Sequence, residues 1–68
     1  MGSVARVTEL SSVSETSFED AVKTAVERAS KTLRGLKSAW IKEQEVQIGD
    51  NGRIIGYKVN LLVTFVLE

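Results

Sequence analysis

From Ile55 to Leu67 every second residue is apolar: Ile55, Tyr57, Val59, Leu61, Val63, Phe65 and Leu67. A period of two kept over that length means a β-strand with one face turned to a core. The other side of the same stretch carries Ile54, Gly56, Lys58, Asn60, Leu62, Thr64 and Val66, a mixed face. Just before it stands "GDNGR", Gly49 to Arg53. Asn-Gly supplies the positive φ that a hairpin turn needs, so the long strand is the second arm of a hairpin. Its first arm is then residues 38–48, "SAWIKEQEVQI". Unbroken alternation would place Trp40, Lys42, Gln44, Val46 and Ile48 on one face, and Ala39, Ile41, Glu43, Glu45 and Gln47 on the other. Neither face is cleanly apolar, which suits a strand that is partly exposed, bulged or covered by a partner.

Upstream, residues 18–34, "FEDAVKTAVERASKTLR", place Phe18, Ala21, Val22, Ala25, Val26, Ala29 and Leu33 along one stripe at helical spacing. Ser17 is the expected N-cap, with Asp20 three residues on as a weak capping box. Glu19 and Asp20 suit the positive end of the helix dipole. Glu27 and Lys31 are spaced for an i,i+4 ion pair, and Gly35 fits the left-handed position after a helix end. The alanine-rich stripe lets this helix sit close to a sheet. Residues 4–10, "VARVTEL", read as a first strand, and "SSVSETS" as a polar loop. The order is β-α-β-β: an α+β chain with a three-stranded antiparallel sheet packed on one helix, in a single domain spanning residues 1–68.

Lengths then set a conflict. A 17-residue helix spans about 25 Å and a 14-residue strand about 45 Å. One helix cannot cover the strand, and the apolar row from Val63 to Leu67 should hang past it. Exposed apolar surface and open strand edges are liabilities for a lone soluble chain, so the expectation is self-association.

Composition narrows the means. The 68 residues contain no cysteine and no histidine. That removes disulfides, thiolate metal sites, and the commonest acid–base catalyst near neutral pH. A chain this short often needs an added staple, and oligomerisation is the one left. Nine basic and nine acidic residues balance. Charge therefore points to neither a nucleic acid nor a membrane surface. No apolar run is long enough to span a bilayer, and no signal peptide is visible, so a cytoplasmic location is expected. The remaining carboxylates, lysines and hydroxyls form no convincing catalytic constellation, so an enzyme is not expected.

The succession "RVTEL", a serine-rich loop, "SFEDAVKTAVERASKTLR" and the closing "YKVNLLVTFVLE" resembles the dodecin family over nearly the whole chain. The resemblance implies a hollow homododecamer that holds flavin (riboflavin or FMN) between subunits as a store or buffer. Coenzyme A is a further ligand of some members. In the family, a tryptophan near the start of the second strand stacks on the isoalloxazine ring, and a glutamine after the last strand's tyrosine bonds the ring edge. Counting back from "IGD", the first position is Ser38 here, with Trp40 two residues on, and the second is Lys58. Two residues along a strand return to the same face, about 6–7 Å away. A branch of the family lacks both residues and is associated with calcium; "IKEQEVQI" and the basic residue after Tyr57 look closer to it.

The candidate ligand contacts are therefore Trp40, Lys58, Ser38 and Gln44. Two readings of Trp40 stand: a platform for a planar ring, or an anchor between subunits. Lys58 is either a ligand contact or a strand residue paired with a carboxylate. Glu43, Glu45 and Asp50 are either solvated charges or, clustered by symmetry, an oxygen site for calcium. Tyr57 and Phe65 belong to the core.

Overall fold

The structure is a computed structural model that describes residues 2–67; Met1 and Glu68, the ends of the expected domain, lie outside the described residues. It follows the expected order: strand β1 (Ala5–Ser14), helix α1 (Phe18–Thr32), strand β2 (Leu36–Ile48) and strand β3 (Ile54–Val66). The sheet order is β1-β3-β2, with both pairings antiparallel. The strand with the longest alternation is thus the central one.

The core is the middle of that alternation against the helix stripe. Val59, Leu61 and Val63 are buried under Ala21 and Ala25, with Leu10, Phe18, Val22, Val26, Leu36 and Ile41 around them. Each fully buried Val or Leu contributes about 1.5–3 kcal/mol through area removed from water. Tyr57 meets Phe18 edge-to-face at 5.2 Å, which carries the core toward the start of the helix. The alternating row outruns the helix at both ends. Ile55 is 58% exposed and Leu67 is 49% exposed. The overhang is therefore not confined to the Val63–Leu67 end, where Val63 itself is buried beneath α1.

Ser17 caps α1 as expected, its hydroxyl accepting the Asp20 backbone N–H at 3.0 Å. Asp20 does not close the box back onto Ser17. Its carboxylate instead accepts from the hydroxyl of Ser14 at 2.7 Å. The Ser14 oxygen also accepts the backbone N–H groups of Thr16 and Ser17. Ser14 is the last residue of β1 and is buried, so one hydroxyl ties the strand end to the helix start.

Three local expectations change. First, "SSVS" is not loop. Ser11 to Ser14 pair with Asn60 to Tyr57, because the long β3 offers backbone partners for the whole stretch and ladder pairing outweighs the weak strand preference of serine. Second, α1 stops at Thr32. Leu33 is extended and Gly35 takes φ +73° two residues later, in the turn into β2. The Gly35 carbonyl accepts the Val66 N–H at 3.0 Å, and a Cβ there would lie 3.1 Å from the Val66 carbonyl oxygen. Glu27 and Lys31 are not among the ion pairs of the described residues. Third, the hairpin loop uses one positive φ, at Gly52. Gly52 donates to the Gly49 carbonyl, and Gly49 donates to Arg53. This is a three-residue loop rather than the tighter two-residue turn.

Gly35→Ala should lower stability by about 1–2 kcal/mol, from the left-handed backbone alone, with crowding against Val66 adding to it. Denaturant titration checks this, and an unchanged midpoint would contradict the role given to Gly35.

Candidate functional site

The helix covers one face of the sheet and leaves the other bare. The register assigns residues to each. Across β1-β3-β2 the bare face carries the rows Val7–Thr64–Ser38, Glu9–Leu62–Trp40, Ser11–Asn60–Glu43 and Val13–Lys58–Glu45. Gly56 and Gln47 follow. Without a side chain at Gly56, the Gln47 side chain folds over it: a Cβ there would lie 2.5 Å from the Gln47 amide oxygen and 3.4 Å from Val13.

Irregularities in β2 decide which residues belong to this face. Between Ile41 and Glu43 the pairing on β3 advances only from Leu61 to Asn60, so Lys42 is the extra residue of a bulge. A second shift, between Leu36 and Ser38, leaves Lys37 extra in the same way. A one-residue bulge exchanges the faces of everything beyond it. Ser38 and Trp40 before the bulge lie on the bare face, together with Glu43, Glu45 and Gln47 after it. Ala39 and Ile41 lie on the helix side, together with Gln44 and Val46. The two faces expected from unbroken alternation are therefore each half right. Gln44 does not share a face with Trp40, because Lys42 intervenes.

Trp40, on the edge strand β2, is 66% exposed, since among the described residues nothing is stacked over its face. Leu62 lies beside it on β3, with Glu9 beyond on β1. Ser38 is its neighbour one row along. Lys58 shares the bare face but stands four residues down β3 from Leu62, roughly 13 Å along the strand. Its ammonium is paired with Glu45 at 3.8 Å. Glu43 accepts from the Asn60 amide at 3.3 Å. Lys42 reaches across β3 to Glu9, Nζ to Oε2 at 3.5 Å. Among the described residues no group of three or more acidic side chains is placed to hold a metal ion.

Two hollows lie along the helix. One, of about 360 Å³, runs between α1 and β1, where Leu10, Ala25 and Leu33 supply apolar walls and Arg28 a charge. The other, of about 190 Å³, is bordered by Val26, Leu36, Ala39 and Val63, with Ser38 at its rim. Trp40 lines neither. The aromatic surface it offers is open, a platform rather than a pocket.

Trp40, Ser38, Lys58 and Leu62 are legible on this face from the sequence, whereas Glu9 and Val13 are not. Glu9 and Val13 share the two-residue period with Val7. That period was lost where the serines began.

Among the described residues no helix is long and apolar enough to cross a membrane. Comparison with known proteins agrees with the geometry. The family model described as Dodecin matches residues 4–68. No match was found among curated proteins. Among solved structures, a variant of the Thermus thermophilus dodecin is 42% identical, with 98% of each chain covered and a TM-score of 0.90. Dodecin from Streptomyces coelicolor is 38% identical, covering 97% of this chain and 93% of that one, with a TM-score of 0.90. The calcium-chelating calcium dodecin of Mycobacterium tuberculosis is 32% identical over 97% of this chain and 93% of that one, at a TM-score of 0.83. With its order of elements, its sheet and nearly its full length matched in this way, the chain belongs to the dodecin family.

Proposed function

We propose that this chain forms a homo-oligomeric shell, a dodecamer of the dodecin type, that binds and sequesters a flavin of the riboflavin or FMN kind where copies meet, without catalysis. The observation that carries this reading is the exposure of Trp40 on a sheet face that the chain's own helix leaves bare. An exposed indole paired across the strands with Leu62 offers apolar area and a π-face to a planar ring. One chain supplies a single open platform, so a second copy is needed to close over the ligand and exclude water. Ser38 adds a hydroxyl one row away, and Lys58 lies further along the same face. The apolar overhang at Ile55 and Leu67 supports self-association independently of any ligand.

A shell that binds calcium instead of flavin is the alternative, and the likeness to the Mycobacterium tuberculosis calcium dodecin favours it. Against it, the carboxylates of the bare face already have partners within the chain. Glu9 meets Lys42, Glu45 meets Lys58, and Glu43 holds the Asn60 amide. Calcium takes 6–8 oxygen ligands, and recruiting them here means breaking those contacts.

Riboflavin titrated into the protein should lose its fluorescence saturably as the indole stacks on the ring. Trp40→Ala should abolish the quenching while the particle stays assembled. A Trp40→Ala protein that binds riboflavin as before would remove the platform. For the alternative, thermal melts in calcium and in chelator should coincide; a marked rise in Tm with calcium would favour the cation-binding shell.

A further inference from the structure

The Lys42 side chain crosses the bare face of the sheet. Lys42 belongs to β2 and Glu9 to β1, and β3 lies between them. Neighbouring strands are about 4.8 Å apart, so the two backbones are separated by roughly 10 Å. The 3.5 Å contact between Lys42 Nζ and Glu9 Oε2 closes that gap over the middle strand. Glu9 pairs with Leu62, and Leu62 pairs with Trp40, so the strap ends in the row of the indole. The β-bulge supplies the geometry. As the extra residue, Lys42 has no partner in the β3 register, so its side chain is free to lie across the sheet rather than follow the alternation.

We propose that Lys42 is the polar contact of the ligand site on Trp40, donating to the carbonyl edge of the stacked ring, and that Glu9 is the positioning residue that holds the ammonium there. This rests on the reading of Trp40 as a platform for a planar ring. An ammonium has three donor hydrogens. One is directed to Glu9, which leaves two for acceptors on a ring lying over Trp40 and Leu62. Lys58 is less well placed: it stands roughly 13 Å along the strand from that row. The class of ligand this selects is a planar, apolar ring with hydrogen-bond acceptors along one edge. The pair carries no net charge, so recognition is by donated hydrogen bonds and not by attraction to an anion.

The test is fluorescence titration of Lys42→Met, Lys42→Arg and, as a control on the exposed side of α1, Lys23→Met, each confirmed as assembled by light scattering. Two probes are used: riboflavin, and lumiflavin, which has the same ring without the sugar-like tail. A hydrogen bond from a charged donor to the ring edge is worth on the order of a tenfold change in Kd. Lys42→Met should weaken both probes by about that factor, Lys42→Arg should recover most of it, and Lys23→Met should leave Kd within about twofold. Glu9→Gln should weaken both probes less than Lys42→Met does. Unchanged Kd in Lys42→Met, with quenching by Trp40 intact, overturns the role of Lys42 and leaves the platform standing. A loss seen with riboflavin alone also overturns it, since Lys42 would then be reading the tail. No quenching by the wild-type protein overturns the platform and this inference together.

Discussion

A 15-residue helix, about 22 Å long, lies along a 13-residue strand of about 43 Å, and that mismatch governs the molecule. Burial is complete only where the two overlap, at Val59, Leu61 and Val63. Past the helix the same alternating row continues into solvent at Ile55 and Leu67. The shape follows: 55 Å long and 13 Å thin, a long sheet with a short cover. Both outer strands are edges, and β2 is exposed along nearly its whole length. A chain that buries so little of its sheet alone leaves apolar surface and strand edges open to association.

The bare face depends on the same arrangement at finer scale. With β3 central, its even-numbered residues set what lies beside each bare-face residue of β1 and β2. Leu62 thus brings Glu9 and Trp40 into one row from opposite edges of the sheet. The bulge at Lys42 then changes what the rest of β2 contributes. It turns Glu43 and Glu45 onto the bare face, where Asn60 and Lys58 meet them, and turns Gln44 and Val46 toward the helix. A single extra residue separates an aromatic end of this face from a charged one.

Much of this was legible in the residues. The alternation of β3 reported its buried side without error through Val59, Leu61 and Val63, because a central strand with one covered face has no freedom to hide its period. The helix stripe and its Ser17 cap were equally plain, since both depend on neighbours within one turn. The overhang followed from element lengths alone. What was missed depends on pairing at a distance. "SSVS" became strand because β3 was long enough to pair with it. The bulges at Lys37 and Lys42 exist only relative to β3, and the sequence of β2 carries no glycine or other local mark of them. Gly35 was read correctly as left-handed but two residues too close to the helix. The constraint that fixes it is Val66, thirty-one positions away. In the site, Trp40 and Ser38 precede the bulge and were placed on the right face, whereas Gln44 follows it and was not.

The measurement that bears most directly on this account is the mass of the protein in solution by sedimentation equilibrium, across a wide dilution range and without added ligand. Each chain weighs 7.5 kDa. One large, closed assembly of many chains, about twelve on the family pattern, is expected to persist on dilution because the overhang and strand edges are covered in it. A stable, folded species of one chain would contradict it: the length mismatch would then be tolerated in water, and the bare face bearing Trp40 would need no second copy.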